Sequence, residues 1–309
     1  MWITTPTNVF RVGCRCQRPL VSNEWPFIAA EALEAETMTF RELRGLHRGE
    51  YPGVWVPRGV DLDLRQRAEA AWLWSRRRAV VSGVCASALL GAKWVDDDET
   101  VVLIHANRRP PEGVLVHSDT LLPGEVRTVD GLPVTTPART AYDIGRWLRV
   151  DDAVERIDAL MNATRLSGEA VAAVMKRHPG VRGARRLREV LGLVDGGAES
   201  LYDTKTRLLL KRAGFPPVTT QITVYDERGR VFARIDMGWP EYRVGVDFEG
   251  EHHWSNARQR SWDIERFAKL PDYGWIDERL TSGILHNRPS RFLNRVSTAL
   301  ISRGCPRTW

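Results

Sequence analysis

Three carboxylates stand where β-rich runs would otherwise be apolar. Asp236 interrupts Val231-Phe-Ala-Arg-Ile-Asp-Met, and Asp247 and Glu249 follow Val244-Gly-Val246. A period of two places Asp247 and Glu249 on one face of their strand. Acids are depleted in strands and costly to bury without a partner, so three at neighbouring strand ends call for a cation. A hard divalent ion such as Mg2+ takes oxygen ligands and shares its shell with substrate phosphates. His252 and His253 come next, and imidazole moves protons near neutral pH. Singly, each residue has a plainer reading: Asp236 as an edge-strand charge, Glu249-Gly250-Glu251 as a turn, either histidine as a surface residue. A symmetric hairpin centred on Trp239-Pro240-Glu241 would pair Asp236 near Val244 and leave Asp247 about 10 Å along its strand. A bend or an offset register is needed to bring the two together.

The elements that must hold these residues form an α/β pattern. A helix over 199–213 precedes strands at 218–225, 231–237 and 242–248, with turns at 226–229 and 238–240. Helices at 258–270 and 290–302 bracket a strand near 275–280, giving an antiparallel meander between helices. Upstream, residues 1–24 read as an irregular leader. Short helices at 28–34 and 40–46 and a strand at 53–57 outline a winged helix. A helix over 61–75 has Asp61 or Asp63 as its cap, and 82–91 is helical in its second half. Strands at 100–105 and 113–117 read as a pair joined by a turn. Thr136-Pro137 opens a helix, and helices at 151–162, 167–177 and 181–194 look like packing. Asp195-Gly196-Gly197 marks a domain boundary, dividing 25–195 from 198–303, with 304–309 as a tail.

Composition bounds the partners. The chain has 309 residues, 43% hydrophobic and 27% charged, which excludes a disordered chain and leaves room for two cores. A net charge of +6 leans towards a polyanion, yet only five of the 45 basic residues are lysine, so arginine abundance carries little weight singly. Residues 198–309 hold 18 basic and 14 acidic residues against 27 and 25 before them, so the excess is denser in the C-terminal part. Four cysteines, at 14, 16, 85 and 305, are too few and scattered for a disulfide framework. No apolar run approaches the ~20 residues of a membrane span, and a cytosolic protein is expected.

The order Glu199, Gln221, Asp236 in Arg-Ile-Asp-Met-Gly-Trp-Pro-Glu, then Val-Asp-Phe-Glu-Gly-Glu-His-His, resembles a bacterial family related to the very-short-patch repair (Vsr) endonucleases. That family belongs to the PD-(D/E)XK superfamily, and the similarity covers nearly all of 198–303, through Arg260-Ser-Trp-Asp263, Arg266, 270–275 and Arg279. It implies a restriction-endonuclease-like domain, a mixed sheet flanked by helices, with Mg2+ or Mn2+ on Asp236 and Asp247. Glu199 is then an accessory acid, Gln221 a site-lining residue, Glu249 and His253 assisting groups, and Arg266 and Arg279 DNA contacts. The superfamily's lysine is absent, since Glu249 takes its place, and Asp247 stands where relatives commonly carry Glu.

More loosely, 25–195 resembles AbiEi-type antitoxins, through Trp25-Pro26-Phe27, Arg67-Ala-Glu-Ala-Ala71, 82–91, and Leu132-Pro-Val-Thr-Thr-Pro-Ala-Arg-Thr140 with Asp143. This implies a DNA-binding winged helix and a cognate toxin. Arg41, Arg44 and Arg48 on the second helix are the expected phosphate contacts, or else a solvated face. Arg139 and Asp143 are spaced to pair with each other. Two functions follow: a metal-dependent endonuclease with a DNA-binding N-terminal region, or a non-catalytic antitoxin-like DNA-binding regulator with an inactive nuclease fold.

Overall fold

The computed structural model describes residues 25–107, 109–249 and 269–309. The chain divides into two units, one ending at Asp61 and one running from Leu62 to Trp309.

The described part of the first unit opens with β1 (Phe27–Ile28) and α1 (Ala29–Glu34), then α2 (Phe40–Leu46), β2 (His47–Tyr51) and β3 (Val54–Pro57). Thr39 starts α2 through a capping box: its hydroxyl accepts from the Glu42 N–H at 3.2 Å, while Glu42 accepts from the Thr39 N–H at 2.8 Å. The strands pair antiparallel in the order β1-β3-β2, and Leu43, Val54 and Val56 are buried. The helix expected to carry three arginines ends sooner than Arg48, which lies in β2 opposite Val56. There it pairs with Glu50 and donates to the Val60 carbonyl at 3.1 Å. His47 is already extended, because the chain from there exchanges hydrogen bonds with β3.

The second unit begins with α3 (Leu64–Trp74), capped by Asp63. A five-stranded sheet follows, in the order β6-β5-β4-β8-β7, from β4 (Val80–Val81), β5 (Val101–Ile104), β6 (Val114–His117), β7 (Val126–Val129) and β8 (Leu132–Thr135). β5 and β6 are parallel, not the turn-joined pair expected. All four β5 residues are buried, as a strand covered on both faces requires, and strands this short let a short connection return to the starting end. The β7–β8 hairpin turns on Asp130 and Gly131, both at positive φ (46° and 85°), the backbone that an Asp-Gly pair favours.

Helices α4 (Gly83–Leu89), α5 (Pro137–Trp147), α6 (Val150–Thr164), α7 (Gly168–Arg177) and α8 (Ala184–Leu191) complete this region. Their core gathers Ile144, Ile157, Leu160, Val171, Leu187 and Val190. Then come α9 (Leu201–Arg212), β9 (Thr219–Tyr225), β10 (Val231–Trp239) and β11 (Val244–Glu249), and, after 250–268, a 3-10 turn (Leu270–Tyr273), β12 (Ile276–Thr281), α10 (Ser282–Asn287) and α11 (Pro289–Ser302). The helix expected over 258–270 lies outside the described residues save its end, where Leu270 opens the 3-10 turn. The sheet is mixed, ordered β12-β11-β10-β9, with β11 and β12 parallel and the rest antiparallel. Trp239, Val244, Val246, Leu280, Phe292 and Leu300 form its core. Across Asp195, Asp158 of α6 accepts from the Asp195 N–H at 2.7 Å, Thr204 at 2.8 Å and Arg207 at 2.6 Å, tying the helical region to α9.

Candidate functional site

The β10–β11 connection fixes which acids meet. Met237 pairs with Val246, Gly238 with Gly245 and Trp239 with Val244, so the turn is 240–243 and the register places Asp236 opposite Asp247. This is the offset that the sequence reading required. Here the carboxylates take over from the ladder: Asp247 Oδ1 accepts from the Asp236 N–H and Asp236 Oδ2 from the Phe248 N–H, each at 3.0 Å. The strands approach closely just below, since a Cβ on Gly238 would lie 2.2 Å from the Val244 carbonyl oxygen.

Gln221 extends the row. Ile222 pairs with Ile235 and Thr220 with Met237, which puts Gln221 at the register position facing Asp236. Its φ is +56°, a left-handed value that a strand residue other than glycine holds at some cost. Both polar atoms of its amide are buried without a partner. Three expected site residues, from three strands, therefore share one row of the sheet.

Burial dominates the electrostatics. It pushes the Asp236 carboxyl from 3.8 up to about 7, helped by the charges of Asp203 and Glu199 and opposed by the Phe248 N–H and Arg234. Asp247 is raised well above 3.8 by burial first, then by the charges of Asp277 and Asp236 and by a hydrogen bond with Asp277. Two carboxyls can bond each other only when one carries a proton. When both are ionised, Asp247 Oδ2 and Asp277 Oδ1 are buried with no donor. A cation or a shared proton answers that need.

Glu199 lies just before α9, outside the row, paired with Arg234 at 2.5 Å. Glu249 is half exposed and held by Arg279 Nη1 at 2.5 Å, while Arg279 Nε bonds Asp277 at 3.0 Å. The arginine expected on DNA thus also neutralises the acid that stands in for the superfamily's lysine. His253 and Arg266 lie outside the described residues, as do His252 and Cys14 and Cys16. Asp203 and Asp277 escaped the sequence reading. Asp203 is buried as the capping partner of Ser200, with the Ser200 N–H at 2.8 Å, a Ser-x-x-Asp spacing that could have revealed it. Asp277 has no local signal, because only the parallel β11–β12 pairing brings it beside Asp247.

Two carboxylates leave oxygens for an ion: Asp247 Oδ2, and Asp236 Oδ1, which accepts no hydrogen bond among the described residues. That suits Mg2+, which is usually held by one or two carboxylates plus waters and phosphate. Among the described residues no group of three or more His, Cys, Asp or Glu is placed to hold an ion.

In the first unit, Arg41 and Arg44 are exposed on α2 and make no ion pair among the described residues. Arg44 lies over the Phe40 ring at 5.8 Å, and Phe40 and Leu46 are exposed at 60% and 64%. A cationic face with exposed apolar side chains is suited to an anionic, partly apolar partner surface.

The pairing expected of Arg139 and Asp143 is present at 2.9 Å and is fully buried. It belongs to a larger network in which Arg139 Nη1 reaches Glu125 at 2.5 Å, Ser82 donates to Asp143 at 2.9 Å and Arg146 bonds Asp143 at 3.0 Å. Burial works to raise the Glu125 carboxyl, but the Leu122 N–H, His178 and Arg139 together hold it below its ordinary range. The network joins β4, α5, α7 and the 118–125 loop from inside.

The model of the AbiEi antitoxin C-terminal domain matches residues 79–193, the span from β4 through α8. Two uncharacterized proteins of Mycobacterium tuberculosis, from strains CDC 1551 / Oshkosh and H37Rv, are each 28% identical over 254 residues, covering 80% of this chain and 91% of theirs. No solved structure matches the chain. Among the described residues no helix is long and apolar enough to cross a membrane.

Proposed function

We propose that this chain is an antitoxin-like DNA-binding regulator. The observation that carries the reading is the match of 79–193 to an antitoxin domain, downstream of a unit whose α2 presents Arg41 and Arg44. In this reading the first unit is a winged helix: α2 lies against the major groove, β2 and β3 form the wing, and the two arginines contact phosphates. The 79–193 region engages a cognate toxin. The boundary falls at 195–197, and the domain beyond it keeps a restriction-endonuclease-like, Vsr-like sheet as a scaffold. The protein works in the cytoplasm.

A second reading, a metal-dependent endonuclease, is favoured by one observation, the row of Gln221, Asp236 and Asp247 with a carboxylate oxygen and an amide left unpartnered. Asp236 and Asp247 would hold Mg2+ or Mn2+, which would supply an acidified water and neutralise phosphate charge. Gln221 would orient the phosphate, and Glu199, Glu249 or His253 would assist. The Arg279 pairing leaves Glu249 poorly placed to accept a proton, which is why the regulator reading stands first.

The experiment combines both. The purified chain is titrated onto the DNA upstream of its own gene in rising salt, and incubated with supercoiled plasmid in Mg2+ or Mn2+ beside Asp236→Ala. Saturable, salt-sensitive binding without nicking is expected. Nicking that Asp236→Ala abolishes moves the function to the second reading, and an absence of salt-sensitive affinity rejects both.

A further inference from the structure

One strongly one-signed run of charge lies in neither expected site. Between Lys176 and Arg188 there are six cations, Lys176, Arg177, Arg182, Arg185, Arg186 and Arg188, and no acid, in a chain whose overall ratio is 45 to 39. All six are exposed. Arginine abundance alone does not explain six cations without an acid before Glu189 closes the run. Arg185 and Arg188 are neighbours on α8 at a spacing where like charges weaken a helix, and Glu189, one turn from Arg185, is the one acid on that helix.

The structure sorts the six by task. Arg186 folds back, its Nη1 donating to the carbonyls of Arg146, Trp147 and Leu148 at 3.0, 3.2 and 3.0 Å, and so closes the C-terminal end of α5. Arg177 bonds the Pro123 carbonyl at 2.9 Å and faces Glu125 at 3.5 Å. Lys176, Arg182, Arg185 and Arg188 make no ion pair among the described residues and point to no partner of their own. Their seat is rigid: Leu187 and Val190 are buried beneath α8, and Gly183, at φ +89°, sits so close that a Cβ would lie 2.6 Å from the Arg146 carbonyl oxygen.

We propose that the α7–α8 surface is a second DNA-contacting face, one that grips the phosphate backbone of duplex DNA without reading its sequence. This rests on the regulator reading and adds to it a surface inside the antitoxin-matched region. An acidic protein is the other occupant that charge would allow. Protein interfaces, however, centre on apolar and aromatic anchors, and none of the exposed large hydrophobic residues falls within 176–191. Backbone phosphates need only spaced, presented cations.

The test uses the full chain and a labelled duplex in fluorescence anisotropy, from 50 to 300 mM KCl. The quadruple variant Lys176→Gln, Arg182→Gln, Arg185→Gln, Arg188→Gln is compared with wild type and with a charge-matched control, Lys93→Gln, Arg109→Gln, Arg127→Gln, Arg228→Gln. Circular dichroism and thermal melting confirm that each is folded. Loss of about 0.9 in the slope of log K against log salt is expected for each phosphate contact removed, so about 3.6 if all four cations of the patch contact phosphates, with affinity falling tenfold or more. The control should keep the wild-type slope. An unchanged slope in the patch variant, or an equal fall in the control, overturns this face as a DNA contact while leaving the α2 reading intact, which Arg41→Ala with Arg44→Ala tests separately. Intact DNA binding with lost capture of the toxin assigns the face to an acidic protein and equally overturns the proposal. If wild type binds no DNA, the regulator reading fails first.

Discussion

Replacing Asp236 with Asn should make the protein more stable at pH 8, by less at pH 5, and leave it nearly unchanged below about pH 4. The carboxyl titrates at about 7 in the fold against 3.8 when free, because it is buried beside the charges of Asp203 and Glu199. A raised carboxyl means that the folded chain binds its proton more tightly than the unfolded chain does. Stability is therefore full below about pH 4 and is lost as pH climbs to about 7. The gap corresponds to about 4 kcal/mol at roughly 1.4 kcal/mol per tenfold change in proton affinity, and Asp247 acts in the same direction. Asn keeps the oxygen that accepts from the Phe248 N–H but carries no charge, so it escapes the penalty. For a unit of this size about 4 kcal/mol is on the order of 10 °C. Differential scanning fluorimetry from pH 5 to 8 measures it: wild type should melt lower as pH rises, and the midpoint of Asp236→Asn should fall less steeply, by what Asp247 alone contributes. Mn2+ should raise the wild-type midpoint at pH 8, where Asp236 is ionised, and not that of the variant. A variant whose midpoint falls in parallel with wild type would refute the electrostatic account of the row.

Other consequences concern the packing that holds these surfaces. Arg207→Met leaves the buried Asp158 carboxylate without its cation and should cost about 3–5 kcal/mol in urea unfolding. Because burial already lifts Asp158 to about 6, that loss should be larger at pH 8 than at pH 5. Gly183→Ala forces a Cβ to 2.6 Å from the Arg146 carbonyl at a positive φ. It should destabilise by more than about 1 kcal/mol and speed exchange of α8 amides. Cys85 is buried and its thiol is pushed up to about 12, so the folded protein should resist alkylation there at pH 8, with reactivity appearing on unfolding.

Which elements were legible depended on whether their cause is local. Phe40–Leu46 was readable because Thr39 and Glu42 write a capping box into the sequence, and α9 because Ser200 and the apolar spacing after it do the same. The β7–β8 hairpin was missed although Asp130-Gly131 announces it, since Arg127 and Thr128 are exposed and break the apolar alternation. Arg48 was assigned to α2 because nothing in its neighbours shows that β3 will compete for its backbone.

By itself the sequence determined the α/β alternation, the basic excess, and that Asp236 and Asp247 are out of place in their strands. These are properties of residue type and spacing. Tertiary structure decided the rest: the 240–243 turn that sets Asp236 against Asp247, the parallel β12 that brings Asp277 to them and Arg279 to Glu249, and the docking of α8 that leaves four cations outward. Register and strand direction arise from contacts between residues far apart in the chain, so no local pattern encodes them, and they settle whether an acid meets another acid or an arginine.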